Sequence, residues 1–255
     1  MTQRLRLIPG RKGLLLLIAA IGCLLLPIWA ANAQEITIGF GDDTTLTERA
    51  VQLLALLTVL SLAPSILIMV TSFTRIVVVL SLLRSAIGLQ TAPPNMVMIS
   101  LAMFLTAFIM APTLQKAYND GVQPLIDDDI EFNQAFERAS DPFRQFMLSQ
   151  VREKDLALFQ ELSGRPAPDT PEELELSTLV PAFMISELKR AFEIGFLLYL
   201  PFLIIDLVIA SVLMSMGMMM LPPVVISLPF KLIFFVLVDG WNLVAGSLVK
   251  SFGGG

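Results

Sequence analysis

The sequence predicts an all-α protein of the integral-membrane type: two broken helical hairpins joined by a small helical domain outside the membrane. Three observations carry that reading. Of the 255 residues 55% are apolar, and the mean hydropathy is +0.77, well beyond an ordinary soluble domain. Apolar segments long enough to cross roughly 30 Å of hydrocarbon recur along the chain, four of them after residue 49. Between the second and third lies an acidic polar block whose apolar residues return at helical spacing.

Residues 1–33 read as a cleaved secretory signal. Arg4, Arg6, Arg11 and Lys12 precede the apolar stretch Gly13–Ile28, and Ala31 and Ala33 supply the small residues of a cleavage site. A retained first membrane helix is the alternative. Cleavage takes the formal charge from −5 to −9, because it removes four basic residues and no acid. The basic surface that nucleic acid requires is absent. Cys23, the only cysteine, lies inside this apolar stretch, so the mature chain has no thiol for a disulfide or a metal. Ala20-Ile21-Gly22-Cys23 loosely imitates a lipidation site, but apolar residues continue past it to Trp29. With no histidine in the chain, histidine triads, proton relays and metal sites are excluded.

A short acidic segment, residues 34–49, leads into the first hairpin, residues 50–114. Thr47 and Glu48 start its first helix, which is interrupted by Pro64, and Pro112 falls late in its second. The hairpin tip, near 74–94, carries Arg75 and Arg84 and no carboxylate, which places it on the cytoplasmic side. The polar block, residues 115–190, then faces the periplasm. Within it Asp127-Asp128-Asp129 suits a helix start, Asp141-Pro142 suggests a helix restart, and Gly164 a helix stop. Thr170-Pro171-Glu172-Glu173 matches a capping box. A block this small buries little by itself, so some of its phenylalanines are expected to pack against another copy.

The second hairpin covers 191–249 and the C-terminal tail 250–255, with a methionine-rich loop at 214–223 on the cytoplasmic side. Asp206, Lys231 and Asp239 fall inside its apolar segments, where charge is costly unless paired or turned toward a bundle interior or water. Asp206, in mid-segment, calls for a buried partner: Lys231 or another subunit. Asp239 and Lys231 are equally compatible with helix ends near the interface.

No Ser-His-Asp set, Walker loop or dinucleotide glycine fingerprint is present, so the chain is not read as an enzyme and no cofactor is expected. Asp127–Asp129 lacks the spaced ligands of a calcium loop, and no metal site is expected. The loop has five methionines within Met214–Met220, ending against Pro222-Pro223. Unbranched, polarisable side chains re-pack around a changing object, so the loop reads as a soft constriction that needs several copies around one axis. Greasy packing at a hairpin tip is the plainer reading. A small-solute or Cu(I) transporter using the thioethers is the competing function.

Pro181-Ala-Phe-Met-Ile-Ser-Glu187-Leu-Lys-Arg-Ala-Phe192-Glu-Ile-Gly195-Phe resembles the signature of the FliP family of flagellar biosynthetic proteins and its virulence-secretion relatives. Pro201-Phe-Leu-Ile-Ile-Asp206 and Met216-Gly-Met-Met-Met220-Leu-Pro-Pro are similar to its second block. Phe73-Thr-Arg75 through Arg84 and Gly88-Leu-Gln-Thr-Ala-Pro-Pro94 are similar to its first hairpin. The likeness covers essentially the whole chain; the tail Gly253-Gly254-Gly255 is its least family-like part. It implies a core subunit of the flagellar type III export gate in the inner membrane. Several copies, five by the family pattern, would assemble with FliQ-type and FliR-type subunits around a path for unfolded flagellar proteins. It further implies a gasket at the narrowest point formed by Met216, Gly217, Met218, Met219 and Met220, and contacts between copies at Phe146, Phe159 and Glu187. Finally, it implies a gate that sits largely above the bilayer plane.

Overall fold

The computed structural model describes residues 46–164, 174–218 and 220–253. The chain divides into two compact units, Met1–Leu56 and Leu57–Gly255. The first contributes only the opening turns of helix α1 (Leu46–Met69) to the described residues. The fold is all-α. After α1 come α2 (Phe73–Ile87), α3 (Asn95–Ala117), a π-helical turn (Tyr118–Val122) and α4 (Gln123–Ile126). Then follow α5 (Phe132–Gln150), α6 (Glu153–Ser163), α7 (Leu176–Ser215), α8 (Pro223–Leu237) and α9 (Gly240–Gly253). The signal segment, residues 34–45 and the capping box at Thr170 lie outside the described residues.

Helix α2 is the centre of the core. Ile76, Val79, Leu80 and Leu83 return every three or four residues and are at most 1% exposed. They pack with Ala191 and Phe202 of α7, Phe235 of α8, and Val244 and Leu248 of α9. Each such aliphatic side chain contributes about 1.5–3 kcal/mol by leaving water. A second cluster joins Met147 of α5 to Leu174 and to Leu179 and Phe183 of α7. The π-helical turn crosses α5 so closely that a Cβ on Gly121 would lie 2.6 Å from Ala139 Cβ and 2.7 Å from the Ala135 carbonyl oxygen. Only glycine fits there.

Helix α7 has 40 residues, about 60 Å at 1.5 Å each, twice the thickness of a hydrocarbon core. It runs unbroken across residue 190, where the sequence suggested a boundary between the polar block and the second hairpin. Among the described residues two helices are long and apolar enough to cross a membrane, Asn95–Ile126 (through the π turn) and Leu176–Ser215, or up to four if each bent helix pair is one span.

The prolines break less than expected. Pro64, Pro112, Pro142, Pro201 and Pro229 all lie inside helices. The restart suggested at Asp141-Pro142 does not occur; Asp141 accepts a bond from Gln145 Nε2 at 2.8 Å one turn on, and α5 continues. Asp127–Asp129 form a turn, with Asp128 at φ +59°, and α5 begins only at Phe132. Gly164 does end α6, in the left-handed conformation. The fourth apolar segment, in contrast, is broken: α8 and α9 meet at 63° across Val238-Asp239, with Asp239 at φ +50°. The segment 250–255, read as a tail, forms the last turn of α9 as far as Gly253.

Candidate functional site

Three charged clusters tie the helices together, and one uncovered loop stands apart from them. Arg75, in the first turn of α2, and Glu187, in the first third of α7, are both 0% exposed. Arg75 Nε donates to Glu187 Oε2 at 2.8 Å and Nη2 donates to Oε1, a bidentate pair. Nη2 also reaches Gln150 Oε1 of α5 at 3.0 Å, and Nη1 reaches the Ser251 carbonyl and hydroxyl oxygens of α9, each at 3.1 Å. All five guanidinium N–H groups thus have acceptors. The Phe252 ring lies 3.6 Å from the guanidinium carbon and stacks on Phe146, whose edge meets Phe183. Four helices, α2, α5, α7 and α9, meet at this one cation.

The second cluster joins α7, α8 and α2. Lys231 Nζ donates to Asp206 Oδ2 at 2.6 Å and to the Ala86 carbonyl at 3.1 Å, while Ser227 Oγ donates to Asp206 Oδ1 at 2.5 Å. Lys231 is 3% exposed. Of the three charges singled out in the apolar segments, Asp206 and Lys231 meet within the chain. Asp239 is exposed at the α8–α9 bend, where its carboxylate accepts from Asn242 Nδ2 at 3.1 Å.

The third cluster docks α6 on α7. Asp155 Oδ2 accepts from Ser186 Oγ at 2.6 Å and from Arg152 Nε at 2.7 Å, and the Arg152 backbone N–H donates to Ser186 Oγ at 3.1 Å. Burial pushes the Asp155 carboxyl up. The hydrogen bonds from Ser186 and Arg152, with the charges of Arg152 and Lys189, outweigh burial and hold the carboxyl below its ordinary value.

The methionine loop is capped, not loose, where it leaves α7. Gly217, at φ +74°, donates its N–H to the Met214 carbonyl at 3.1 Å, and Met218 N–H reaches Leu213 at 2.9 Å. This pair of bonds is a Schellman cap, which needs a left-handed residue where Gly217 stands. At and after this cap Met216, Met218 and Met220 are 65%, 44% and 99% exposed. Met219, like Ala31 and Ala33, lies outside the described residues. Pro223 then opens α8 at its first turn.

The residues expected between copies divide. Glu187 has its carboxylate buried within this chain and bound to Arg75. Phe146 is half-buried in its stack with Phe252 and Phe183. Phe159 lines an open groove between α6 and α7 with Leu162 and Pro181. Sequence reading missed the Arg75–Glu187 pair by placing Arg75 in a loop.

An all-α membrane protein is thereby defined, its buried charges serving to hold long apolar helices in one register. The FliP family model matches residues 56–248. The chain is 64% identical over 242 residues to the flagellar biosynthetic protein FliP of Caulobacter vibrioides, covering 95% of this chain and 91% of that protein. It is 54% identical over 219 residues to the Bacillus subtilis FliP, covering 86% and 99%, and 50% over 244 residues to the Aquifex aeolicus FliP, covering 95% and 99%. The chain belongs to the FliP family of flagellar biosynthetic proteins.

Proposed function

We propose that this chain is a core subunit of the flagellar type III export gate, and that its methionine tip forms one segment of a gasket around exported polypeptide. The observation that carries the reading is the contrast at α7–α8. Asp206, Ser227 and Lys231 lock the stem of the hairpin, while Met216, Met218 and Met220 stand uncovered at its capped tip. A rigid stem fixes where the thioethers sit. Their flexible side chains can close on one another when the path is empty and around an extended chain when it is filled.

One chain cannot enclose such a path, so several copies, five by the family pattern, stand in a ring with FliQ-type and FliR-type subunits. The large exposed apolar surface of α3 and α7, including Phe104, Phe108, Phe196 and Leu207, suits burial against those neighbours or lipid. Phe159 is retained as a contact between copies. The gate lies in the inner membrane, with the α5–α6 block on its periplasmic side, and transport energy comes from elsewhere in the apparatus.

Exposed thioethers also suit Cu(I) transport, and one preparation separates the two readings. The complex extracted from membranes in detergent is weighed, imaged for symmetry and analysed for copper. A ring containing FliQ-type and FliR-type chains supports the export gate. A solitary chain carrying stoichiometric copper overturns it.

A further inference from the structure

A cavity of about 270 Å³ opens between the end of α2, the α2–α3 tip and the α8–α9 bend. Leu83, Ile87, Leu232, Phe235 and Trp241 line it, and Arg84 is its only charged wall. Engineered apolar cavities of about 150 Å³ stay dry and take benzene-sized guests, so an apolar guest fits this chemistry better than water. The cation on the wall is half-buried and incompletely used. Arg84 Nη1 donates to the Pro93 carbonyl at 3.3 Å and to Asn95 Oδ1 at 2.5 Å. Those two acceptors are neutral, and Nε and Nη2 find no acceptor among the described residues. No carboxylate lines the cavity.

An apolar slot with one uncompensated guanidinium beside it asks for an amphiphile with an anionic head. We propose that the cavity is a binding site for an anionic phospholipid, with one acyl chain between Leu232 and Phe235 and the phosphate on the free edge of Arg84. Guanidinium matches phosphate by two parallel N–H···O bonds. Basic pockets between membrane helices recognise anionic headgroups in this way. The α8–α9 bend forms one wall: Gly240 passes so close to the Phe235 ring that a Cβ there would lie 2.1 Å from it. Phe235 and Trp241 meet edge to face at 5.4 Å. The lipid would therefore brace the bend and the first hairpin tip against each other.

The full chain reports on this site directly, because Trp241 is one of only two tryptophans. With Trp29→Phe, the chain in phosphatidylcholine nanodiscs is titrated with brominated phosphatidylglycerol or brominated phosphatidylcholine. Quenching of Trp241 by the anionic lipid is expected to saturate at a low mole fraction, whereas the neutral lipid quenches in proportion to its amount. Arg84→Gln is expected to raise the midpoint for the anionic lipid about tenfold, and Arg84→Lys less, since a charge-assisted pair is lost or weakened. Should Arg84→Gln disturb the tip it braces, Val236→Phe at the exposed mouth tests the acyl slot alone and should abolish the low-fraction phase. Superposable curves for the two lipids in the parent chain would overturn the proposal. So would a low-fraction phase untouched by both Arg84→Lys and Val236→Phe.

Discussion

The two hairpin tips begin alike and finish differently. At the first, Gly88 (φ +89°) donates to the Ser85 carbonyl and Leu89 to that of Arg84; at the second, Gly217 and Met218 make the same two bonds to Met214 and Leu213. After the shared cap, Leu89 folds back onto the core and Arg84 grips the Pro93 carbonyl. Met218 and Met220 stay exposed. Identical backbone chemistry thus delivers one tip whose first residue past the cap packs back on the core and one whose methionines past the cap stay exposed. Stability should reside in the frame behind the tips, and the second tip should be nearly free of it.

The largest test of that division is at Arg75. Arg75→Met strands a buried carboxylate and Glu187→Gln a buried guanidinium, and each is expected to destabilise the chain by about 3–5 kcal/mol. Thermal unfolding in detergent measures it. Arg75→Met with Glu187→Gln should cost far less than the two single changes added, since no charge is left unpaired. Additive losses would show that the node is not one unit.

Lys231→Met should cost less, about 1.5–3 kcal/mol, because the Asp206 side chain is 23% exposed and keeps its bond from Ser227. Asp206→Asn should be milder than Asp206→Ala for the same reason. If both left stability and assembly intact, the pair would have no part in locking the second stem.

These clusters show what the sequence could and could not disclose. Helix class was legible because apolar residues repeat every three or four positions, as in α2. The partner of Asp206 was narrowed to Lys231 or another subunit because few groups within an apolar segment can meet a carboxylate. Arg75 and Glu187 are 112 residues apart, and nothing local in either stretch points to the other. Proline misled in the opposite sense. Its missing N–H removes one helical bond, and the packing around Pro142, which is buried, holds α5 together regardless. The break that does occur had its own signal in Asp239-Gly240, a turn-favouring pair, because aspartate tolerates a left-handed backbone. Gly217 likewise marked a helix stop that the methionines around it obscured.

A smaller, pH-dependent effect belongs to α6. The Asp155 carboxyl is depressed in the folded chain, so its contribution is complete above the ordinary value of 3.8 and is lost as pH falls through the lower folded one. Hydrogen exchange of the α6 amides, corrected for intrinsic rate, should be flat from neutral pH to about that point and rise below it. Ser186→Ala removes a bond that holds the carboxyl down, so the rise should shrink.

The smallest expected stability change is at the second tip: alanine at Met216, Met218 and Met220 should alter unfolding by no more than about 0.5 kcal/mol, as exposed positions do. The same substitutions are expected to have the largest effect on the path through the gate. Ion conductance of the assembled complex in planar bilayers, parent against the triple-alanine variant, measures that directly. Lost side-chain volume should widen the constriction and raise resting conductance while the complex stays assembled. An assembled variant with unchanged conductance would contradict the gasket.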